Sequence, residues 1–196
     1  MSASSISLRE RSKAKRRAAI QRAALRLFGE RGYDATTIAD IAEEAEVAPR
    51  TVRMYFPNKI DIAMSASDDI ASRLAEIFEA HPGMPFTEAV DLWIRREARA
   101  VNRDLARMIA KMHDANPSMR SETTAHMAEV SRVAHLALLA EMGLPDDDPL
   151  ATIATTAVGA ALTEYVITAL RAGVPQDLHE SFMRYLRAII RAAQPS

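Results

Sequence analysis

Residues 37–59, TIADIAEEAEVAPRTVRMYFPNK, contain two short amphipathic runs separated by the three residues AEV. Thr37 followed by Asp40 forms a capping-box pattern at the start of the first run, and Pro49 stands where proline is favoured in the first turn of a helix. Ile41, Ala42 and Ala45 recur at helical spacing on one face of the first run. The spacing predicts two helices that cross closely over a tight turn, which is the helix-turn-helix pattern.

The rest of the chain is predicted to be helical as well. No run of alternating apolar and polar residues lies between turn signals, and the chain has only six glycines. We therefore expect an all-α fold with a three-helix helix-turn-helix domain in residues 1–58 and a larger helical domain in residues 59–196. The helices are expected at 12–30, 37–44, 49–56, 59–80, 86–101, 103–115, 118–142, 148–172 and 176–193.

Charge is distributed unevenly along the chain. Residues 1–60 carry twelve Lys and Arg against seven Asp and Glu, whereas residues 61–196 carry thirteen against nineteen. A basic N-terminal part suits contact with nucleic acid even though the whole chain is nearly neutral. Ahead of the first predicted helix, we expect four basic residues to form an N-terminal arm for the DNA backbone or minor groove, with a solvated terminus as the alternative. They are Lys13, Lys15, Arg16 and Arg17.

The outward face of the second predicted helix supplies the candidate DNA contacts. Arg50 and Arg53 are long cations that can pair with guanine in a major groove. Thr51 and Tyr55 suit phosphate oxygens, and Lys59 stands at the start of the following helix, where its charge and the helix amides favour a phosphate. The alternative from spacing alone is a helical hairpin with solvated charges.

Residues 12–62 resemble the DNA-binding domain of the tetracycline-repressor (TetR) family. The resemblance rests on LFGERGYDATTIADIA, AEEAEVAPRT and YFPNKIDI. It implies a homodimeric transcriptional regulator, usually a repressor, that binds a palindromic double-stranded DNA operator until a small-molecule effector releases it. In that arrangement residues 1–58 are the DNA-binding domain and residues 59–196 are the ligand-binding and dimerisation domain. It also implies phosphate contacts by Thr37, Thr51, Tyr55 and Lys59. The sequence departs from the family at Glu46, where a glycine is usual, and at Arg53, where an aromatic residue is usual.

The segment 150–170, LATIATTAVGAALTEYVITAL, is apolar nearly all round and carries one charged residue, Glu164. A glutamate at mid-span and the preceding acidic run 146–148 argue against a membrane helix, so no membrane contact is expected. Such a helix needs apolar neighbours on every side. We expect it to pair with the last helix in a four-helix bundle between two subunits, with Ala161 and Phe182 inside that bundle.

Flexible thioethers and aromatic rings in the C-terminal part could line a cavity for a largely apolar effector, although ordinary core packing is the more common role of any one of them. The stretch from Met108 to Leu186 is similar to actinobacterial-type family members grouped with sensors of acyl-CoA-like ligands, which implies an acyl-CoA-like effector. The polar end of an effector is expected near Arg95, Arg96 or Arg99. The predicted ligand-binding residues are Phe78, Trp93, Arg96, Met108, Met112, Met127 and Tyr165.

Other functions find little support in the sequence. Zero cysteines, histidines without metal-ligand spacing and the lack of a nucleophile motif give no catalytic residue, metal site or cofactor to expect. The chain has no signal-peptide pattern, and a cytoplasmic location is expected. The alternatives to a ligand-responsive regulator are a DNA-binding adaptor controlled by a protein partner and a helical enzyme that uses its cavity catalytically.

Overall fold

A computed structural model describes residues 7–100, 102–130, 132–172 and 175–194. Within these residues the structure contains ten helices and no strand, so the all-α prediction is confirmed. The helices are α1 (Leu8–Arg31), α2 (Ile38–Glu44), α3 (Pro49–Tyr55), α4 (Lys59–Ala80), α5 (Phe86–Ala100), α6 (Arg103–Ala115), α7 (Ser118–Val130), α8 (Arg132–Met142), α9 (Pro149–Ala172) and α10 (Gln176–Ala193). The expected single helix over 118–142 corresponds to α7 and α8, on either side of residue 131.

Helix α1 begins earlier than the sequence prediction. Ser7 caps it: the Ser7 hydroxyl accepts from Glu10 N at 3.2 Å, and Glu10 Oε2 accepts from Ser7 N at 2.8 Å. Lys13, Lys15 and Arg16 are therefore exposed residues of a helix rather than of an arm ahead of it. Arg17 is half-buried, pairs with Asp69 of α4 at 3.3 Å and lies 5.2 Å from the centre of the Phe56 ring. The predicted arm is thus wrong for these four residues.

The capping signals read from the sequence mark the starts of α2 and α4. The Thr37 hydroxyl accepts from Asp40 N at 3.1 Å, and Asp40 Oδ2 accepts from Thr37 N at 2.7 Å. At α4, Asp61 Oδ2 accepts from the backbone N of Asn58 at 2.8 Å. These reciprocal bonds satisfy backbone donors that a helix start leaves unpaired. They explain why both helices begin where the pattern places them.

The chain builds two apolar cores. The N-terminal core joins α1, α2, α3 and the first turns of α4 to residues of α6 and α7, among them Ile109, Met112 and Met119. The C-terminal core is formed by the rest of α4 with α5, α8, α9 and α10. Because α4 and α6 contribute to the packing around the helix-turn-helix, the two predicted domains share a continuous interface rather than a flexible linker.

Helix α9 passes a test of length and composition for crossing a membrane. Its span Pro149–Arg171 has a mean hydropathy of 1.4, and 33% of its most apolar window is buried within this chain. Ile153 is 65% exposed and Leu150 is 41% exposed. The helix therefore presents an uncovered apolar face. Phe182 of α10, in contrast, is only 9% exposed and stacks on Tyr165 with ring centres 4.2 Å apart, so it belongs to the chain's own core rather than to a free bundle face.

Candidate nucleic-acid interface and ligand cavity

The turn between α2 and α3 has the geometry of a Schellman motif with a glutamate at its left-handed position. Glu46 has φ of 52°, its N–H donates to Glu43 O at 3.0 Å, and the Val47 N–H donates to Ala42 O at 2.9 Å. These bonds satisfy carbonyls at the end of α2. The turn keeps the left-handed conformation that glycine adopts more readily, with Glu46 in its place.

Helix α3 presents one face to solvent and one to the core. Val52 is fully buried, and Phe56 directly after the helix is 3% exposed, which fixes the rotation of the helix. Arg50 and Arg53 are exposed on the opposite side, and neither forms an ion pair with a residue that the structure describes. The two unpaired cations are three residues apart and therefore lie on the same side of the helix, which is the arrangement that lets one helix face contact a DNA groove.

Met54 is a third member of this face that the sequence analysis did not single out. It is 70% exposed, next to Arg53 and four residues after Arg50. A methionine is flexible and apolar, and such side chains contact the methyl group of thymine in a major groove. The sequence did contain a signal for Met54: two residues after the inward-facing Val52, a helical residue points away from the core.

The predicted phosphate contacts are placed differently from one another. Thr51 and Tyr55 are half-buried at the flank of α3, with Tyr55 packed on the N-terminal core. The Thr37 hydroxyl is exposed, but its proton is donated to Asp40 Oδ2 at 2.6 Å. Lys59 Nζ donates to Tyr33 O at 2.8 Å and to Thr36 O at 3.0 Å, and it lies 4.1 Å from the centre of the Tyr33 ring. Lys59 thus holds the α1–α2 loop in this structure.

The same loop is held from the other domain by Asn116, the residue that ends α6. The backbone N–H of Tyr33 donates to Asn116 Oδ1 at 2.6 Å, and Asn116 Nδ2 donates to Phe28 O at 2.9 Å and to Met112 O at 2.8 Å. Gly29 packs against α6 so closely that a Cβ there would lie 3.2 Å from Lys111 Cγ. The end of α6 therefore fixes the end of α1 and the loop that leads into the helix-turn-helix.

A cavity of about 520 Å³ lies between α4, α5, α6 and α9. Its size is in the range of small-molecule binding sites. Apart from the exposed Ala98, the apolar part of its lining is buried or half-buried, and several exposed charged residues line it as well. The apolar lining includes Ile70, Trp93, Ile94, Tyr165, Val166 and Leu170. Such a site suits an amphipathic ligand with a charged end.

The charges at the cavity are mostly positive. Arg103, Arg107 and Arg171 are exposed residues of its lining, and Glu97 is half-buried. Glu97 is already held by Arg73 through two hydrogen bonds of 2.6 and 2.7 Å. Arg107 and Arg171 likewise form ion pairs with Asp104 and Asp114 outside the lining, so Arg103 is the lining arginine that no described carboxylate pairs with. Arginines still outnumber the one carboxylate of the lining, which favours an anionic group on the ligand.

Two of the predicted ligand-binding residues, Trp93 and Tyr165, line this cavity, and four others lie elsewhere. Phe78 is 6% exposed and stacks on Phe86, and Arg96 is exposed on α5 outside the lining. Met108 and Met112 pack in the N-terminal core. Arg95 pairs with Asp91 at 2.8 Å, and Arg99 is exposed outside the lining. Met127 lies on α7 among residues whose side chains the structure does not describe.

Tyr165 is fixed by a chain of buried polar groups. His179 Nε2 lies 2.7 Å from Asp91 Oδ1, and its Nδ1 lies 3.3 Å from the Tyr165 hydroxyl. The hydrogen bond from Arg95 and then that from His179 lower the pKa of Asp91, so this carboxylate accepts the Nε2 proton. Burial raises the pKa of Tyr165 to about 12, so the phenol keeps its proton, and with a ring proton on Nε2 the hydroxyl donates to Nδ1.

A second polar cluster connects the cavity to the end of α6. Arg171, which lines the cavity, forms an ion pair with Asp114 of α6. Arg120 of α7 lies 3.6 Å from Asp114 and 3.2 Å from Glu164. Beside them His113 is 1% exposed, and burial, helped by the charge of Arg120, lowers its pKa to about 4. His113 is therefore neutral at neutral pH. An anionic ligand bound to Arg171 would compete with Asp114 for this side chain, and Asp114 lies two residues before Asn116 in the sequence.

The described residues thus define a helix-turn-helix protein: α3 presents unpaired cations to solvent, and the helical body that carries it contains a cavity with apolar and charged lining residues. Comparison with known proteins agrees with that class. Residues 20–65 match the family model described as bacterial regulatory proteins, tetR family. The HTH-type transcriptional repressor KstR of Rhodococcus jostii (strain RHA1) is 34% identical over 89 residues, which are 45% of this chain and 42% of that protein. The regulator TcmR of Streptomyces glaucescens is 36% identical over 75 residues, 38% of this chain and 33% of that protein.

Solved structures extend the similarity of fold over most of the chain. A TetR transcriptional regulator from Rhodococcus sp. RHA1 has a TM-score of 0.54 at 17% identity and covers 92% of this chain and 98% of its own. Thermus thermophilus FadR, solved in complex with lauroyl-CoA, has a TM-score of 0.53 at 21% identity and covers 92% and 96%.

Residues 20–65 therefore match the tetR family of bacterial regulatory proteins, and the fold of most of the chain is similar to that of solved TetR regulators. The aligned residues make up less than half the length of either curated relative. The relatives named above are transcriptional regulators rather than enzymes, so the alternative of a helical enzyme is set aside.

Proposed function

We propose that the chain is a cytoplasmic repressor that binds a palindromic DNA operator sequence-specifically. A small amphipathic anion bound in the cavity of about 520 Å³ would release it from that operator. The observation that carries the DNA-binding part is the outward face of α3. A fixed helix with Arg50, Arg53 and Met54 exposed on one side offers two guanine-pairing groups and one apolar contact for thymine.

The sensing part rests on the cavity. An adaptor controlled only by a protein partner needs no internal space, whereas a cavity with a buried apolar part and three arginines in its lining suits an acyl chain with an anionic head. The FadR relative binds lauroyl-CoA, a ligand of that chemistry. An acyl-CoA or a related long-chain anion is therefore the effector class that we propose, with its anionic group near Arg103, Arg107 and Arg171 rather than near Arg95, Arg96 or Arg99.

The proposed assembly is a homodimer built on α9 and α10. Only 33% of the apolar window of α9 is buried within one chain, and Tyr185 of α10 is 56% exposed. A second copy would cover these faces as a four-helix bundle and would place two copies of α3 on one side of the dimer. A two-fold arrangement accounts for a palindromic operator, because each half-site receives one α3.

The DNA-reading face can be tested with alanine variants on the operator that is selected from random DNA. Arg53→Ala is expected to reduce the preference for operator over random duplex by about 1–3 kcal/mol, because one bidentate base contact is lost. Met54→Ala is expected to cause a smaller loss, limited to positions with thymine. Affinities for both duplexes are measured by fluorescence anisotropy at two salt concentrations.

Lys13→Ala is the matched control, since Lys13 is an exposed cation of α1 outside α3. It should weaken binding to operator and random duplex equally, or not at all, as a phosphate contact or a solvated charge does. If Arg53→Ala and Met54→Ala also lower the two affinities by the same factor, neither side chain reads a base.

A further inference from the structure

Arg171 belongs both to the cavity and to the contact between α9 and α6. It stands in the last turn of α9, lines the cavity, and forms an ion pair with Asp114 in the last turn of α6. The Arg171 side chain is 37% exposed and that of Asp114 is 53% exposed. Because water screens an ion pair of this exposure, another anion can replace the carboxylate. A ligand anion and Asp114 are therefore rivals for one guanidinium group.

Asp114 keeps a cation beside it when Arg171 turns towards a ligand. Arg120 of α7 lies 3.6 Å from Asp114 and also pairs with Glu164 at 3.2 Å. The exchange therefore does not leave the carboxylate without a compensating charge, which would oppose it. What the exchange removes is the direct ion pair between α9 and α6.

The last turns of α6 also hold α1 and the loop after it. Asn116 Oδ1 accepts from the Tyr33 N–H at 2.6 Å, and Lys111 Nζ lies 3.9 Å from Glu30 Oε1. Both α6 residues lie within one helical turn of Asp114. A change in how α9 holds Asp114 therefore acts where α6 meets the loop that leads into the helix-turn-helix.

We propose that Asp114 is a built-in competitor for the anionic group of the effector, and that its displacement from Arg171 is one step that lowers operator affinity. This inference rests on the proposed sensing function. The arrangement with the ion pair is the one that binds the operator, and the bound anion favours the arrangement without it. Each then weakens the other by the same factor, as linkage requires. For a partly exposed ion pair we expect this factor to be about three.

Asp114→Asn tests the competition, because it keeps the shape of the side chain and removes its charge. The anionic probes are dodecanoate and lauroyl-CoA, which distinguish a carboxylate from phosphates as the source of the anion, and lauroyl-pantetheine is the uncharged probe. Trp93 is the only tryptophan of the chain and lines the cavity, so its fluorescence measures binding of each probe. Operator affinity is measured by fluorescence anisotropy with and without a saturating probe.

The variant should bind the anionic probe about threefold more tightly than the wild type, and lauroyl-pantetheine with unchanged affinity. Without a probe, its operator affinity should be about threefold lower, because the ion pair that supports DNA binding is absent. The release that the anionic probe causes should then be smaller by the same factor.

Asp104→Asn is the matched control. Asp104 pairs with Arg107, another arginine of the lining, but both residues belong to α6, so the loss of this pair separates no two helices. Operator affinity and the factor of release should stay as in the wild type. Arg171→Gln removes the α6–α9 ion pair together with the lining cation. It should lower operator affinity as Asp114→Asn does, but it should weaken the binding of the anionic probe instead of strengthening it.

The outcomes separate this inference from the proposed function. If an anionic probe binds and releases the operator equally well in the wild type and in Asp114→Asn, the cavity is a sensing site and the competition by Asp114 is overturned. Equal loss of operator affinity in Asp114→Asn and Asp104→Asn would also overturn it, because the effect would then come from the lost charge alone. If no probe changes Trp93 fluorescence or operator affinity in the wild type, the proposed effector class fails, and the competition fails with it.

Discussion

At the scale of single residues, the turn between α2 and α3 combines a required conformation with a residue that does not prefer it. Glu46 holds φ of 52° because the two hydrogen bonds of the turn need a left-handed residue there. For a side chain with a Cβ this conformation costs about 1–2 kcal/mol. The exposed carboxylate of Glu46 makes no hydrogen bond with a described residue that would offset the cost.

Replacing Glu46 by glycine should therefore stabilise the protein. The backbone strain is relieved, and the greater entropy of glycine in the unfolded chain takes back part of the gain. We expect the free energy of unfolding to rise by about 0.5–1 kcal/mol and Tm to rise by roughly 2 °C, measured by thermal and urea unfolding followed by circular dichroism.

The control makes the same chemical change at a helical position. Glu43 is exposed within α2, and Glu43→Gly should lower the free energy of unfolding by about 1 kcal/mol, since glycine is a poor helix residue. Opposite signs for the two variants support the account of the turn. Destabilisation by both would mean that Glu46 is not strained.

The sequence predicted those parts of the site whose residues are close together in the chain, and it did not predict those that depend on packing between distant segments. The starts of α2 and α4 follow from capping pairs three residues apart, and the outward placement of Arg50 and Arg53 follows from helical spacing. The same logic applied to Ser7 and Glu10 would have found the start of α1. The cavity could not be found this way, because Arg103 and Arg171 meet there only through the packing of α6 on α9.

At the scale of elements, α6 is the connection between the cavity and the DNA-binding part. Arg103 and Arg107 in its first turns line the cavity, and Asn116 at its end holds Phe28 and Tyr33. Helix α4 makes a similar connection, since it contributes Ile70 to the lining and Lys59 to the same loop. The structure thus gives two helices that each reach from the cavity to the loop between α1 and α2.

Asn116→Ala should loosen the loop and leave the rest of the helix intact. It removes the acceptor of the Tyr33 N–H and the donor to Phe28 O, so amide hydrogen exchange in residues 28–37 should become at least tenfold faster. The free energy of unfolding should fall by about 1–3 kcal/mol, because the partners of Asn116 are part-buried. Exchange is measured by mass spectrometry of peptic fragments.

Asn102→Ala is the matched control at the other end of α6. The Asn102 side chain caps that helix by accepting from Asp104 N and Leu105 N, both at 3.1 Å, and its loss should cost about 1 kcal/mol. Exchange in residues 28–37 should then change only as much as global stability does. Equal acceleration in the two variants would show that Asn116 acts through overall stability rather than through its contacts with the loop.

At the scale of the whole molecule, control of DNA binding requires two arrangements of the α3 pair in a dimer. A ligand shifts the balance only by its difference in affinity for the two arrangements, so a 100-fold release from the operator corresponds to about 2.7 kcal/mol of differential binding. A variant that tests the dimer must change a side chain on an exposed face. Phe182 and Met112 are unsuitable for such variants, because both side chains are buried within one chain and their replacement would destabilise that chain itself.

Selection of bound sequences from a random pool of double-stranded DNA by the full chain tests the central claim most directly. We predict strong enrichment of a two-fold-symmetric site whose half-sites are centred about one helical turn, or a multiple of it, apart. Ile153→Arg, which charges the exposed face of α9, should give monomer in sedimentation and lose the symmetric enrichment. Ala80→Arg, at the exposed last residue of α4, should keep the dimer and the symmetric enrichment. Enrichment of no sequence, or of an asymmetric site bound equally well by Ile153→Arg, would contradict the account of a dimeric, sequence-specific regulator.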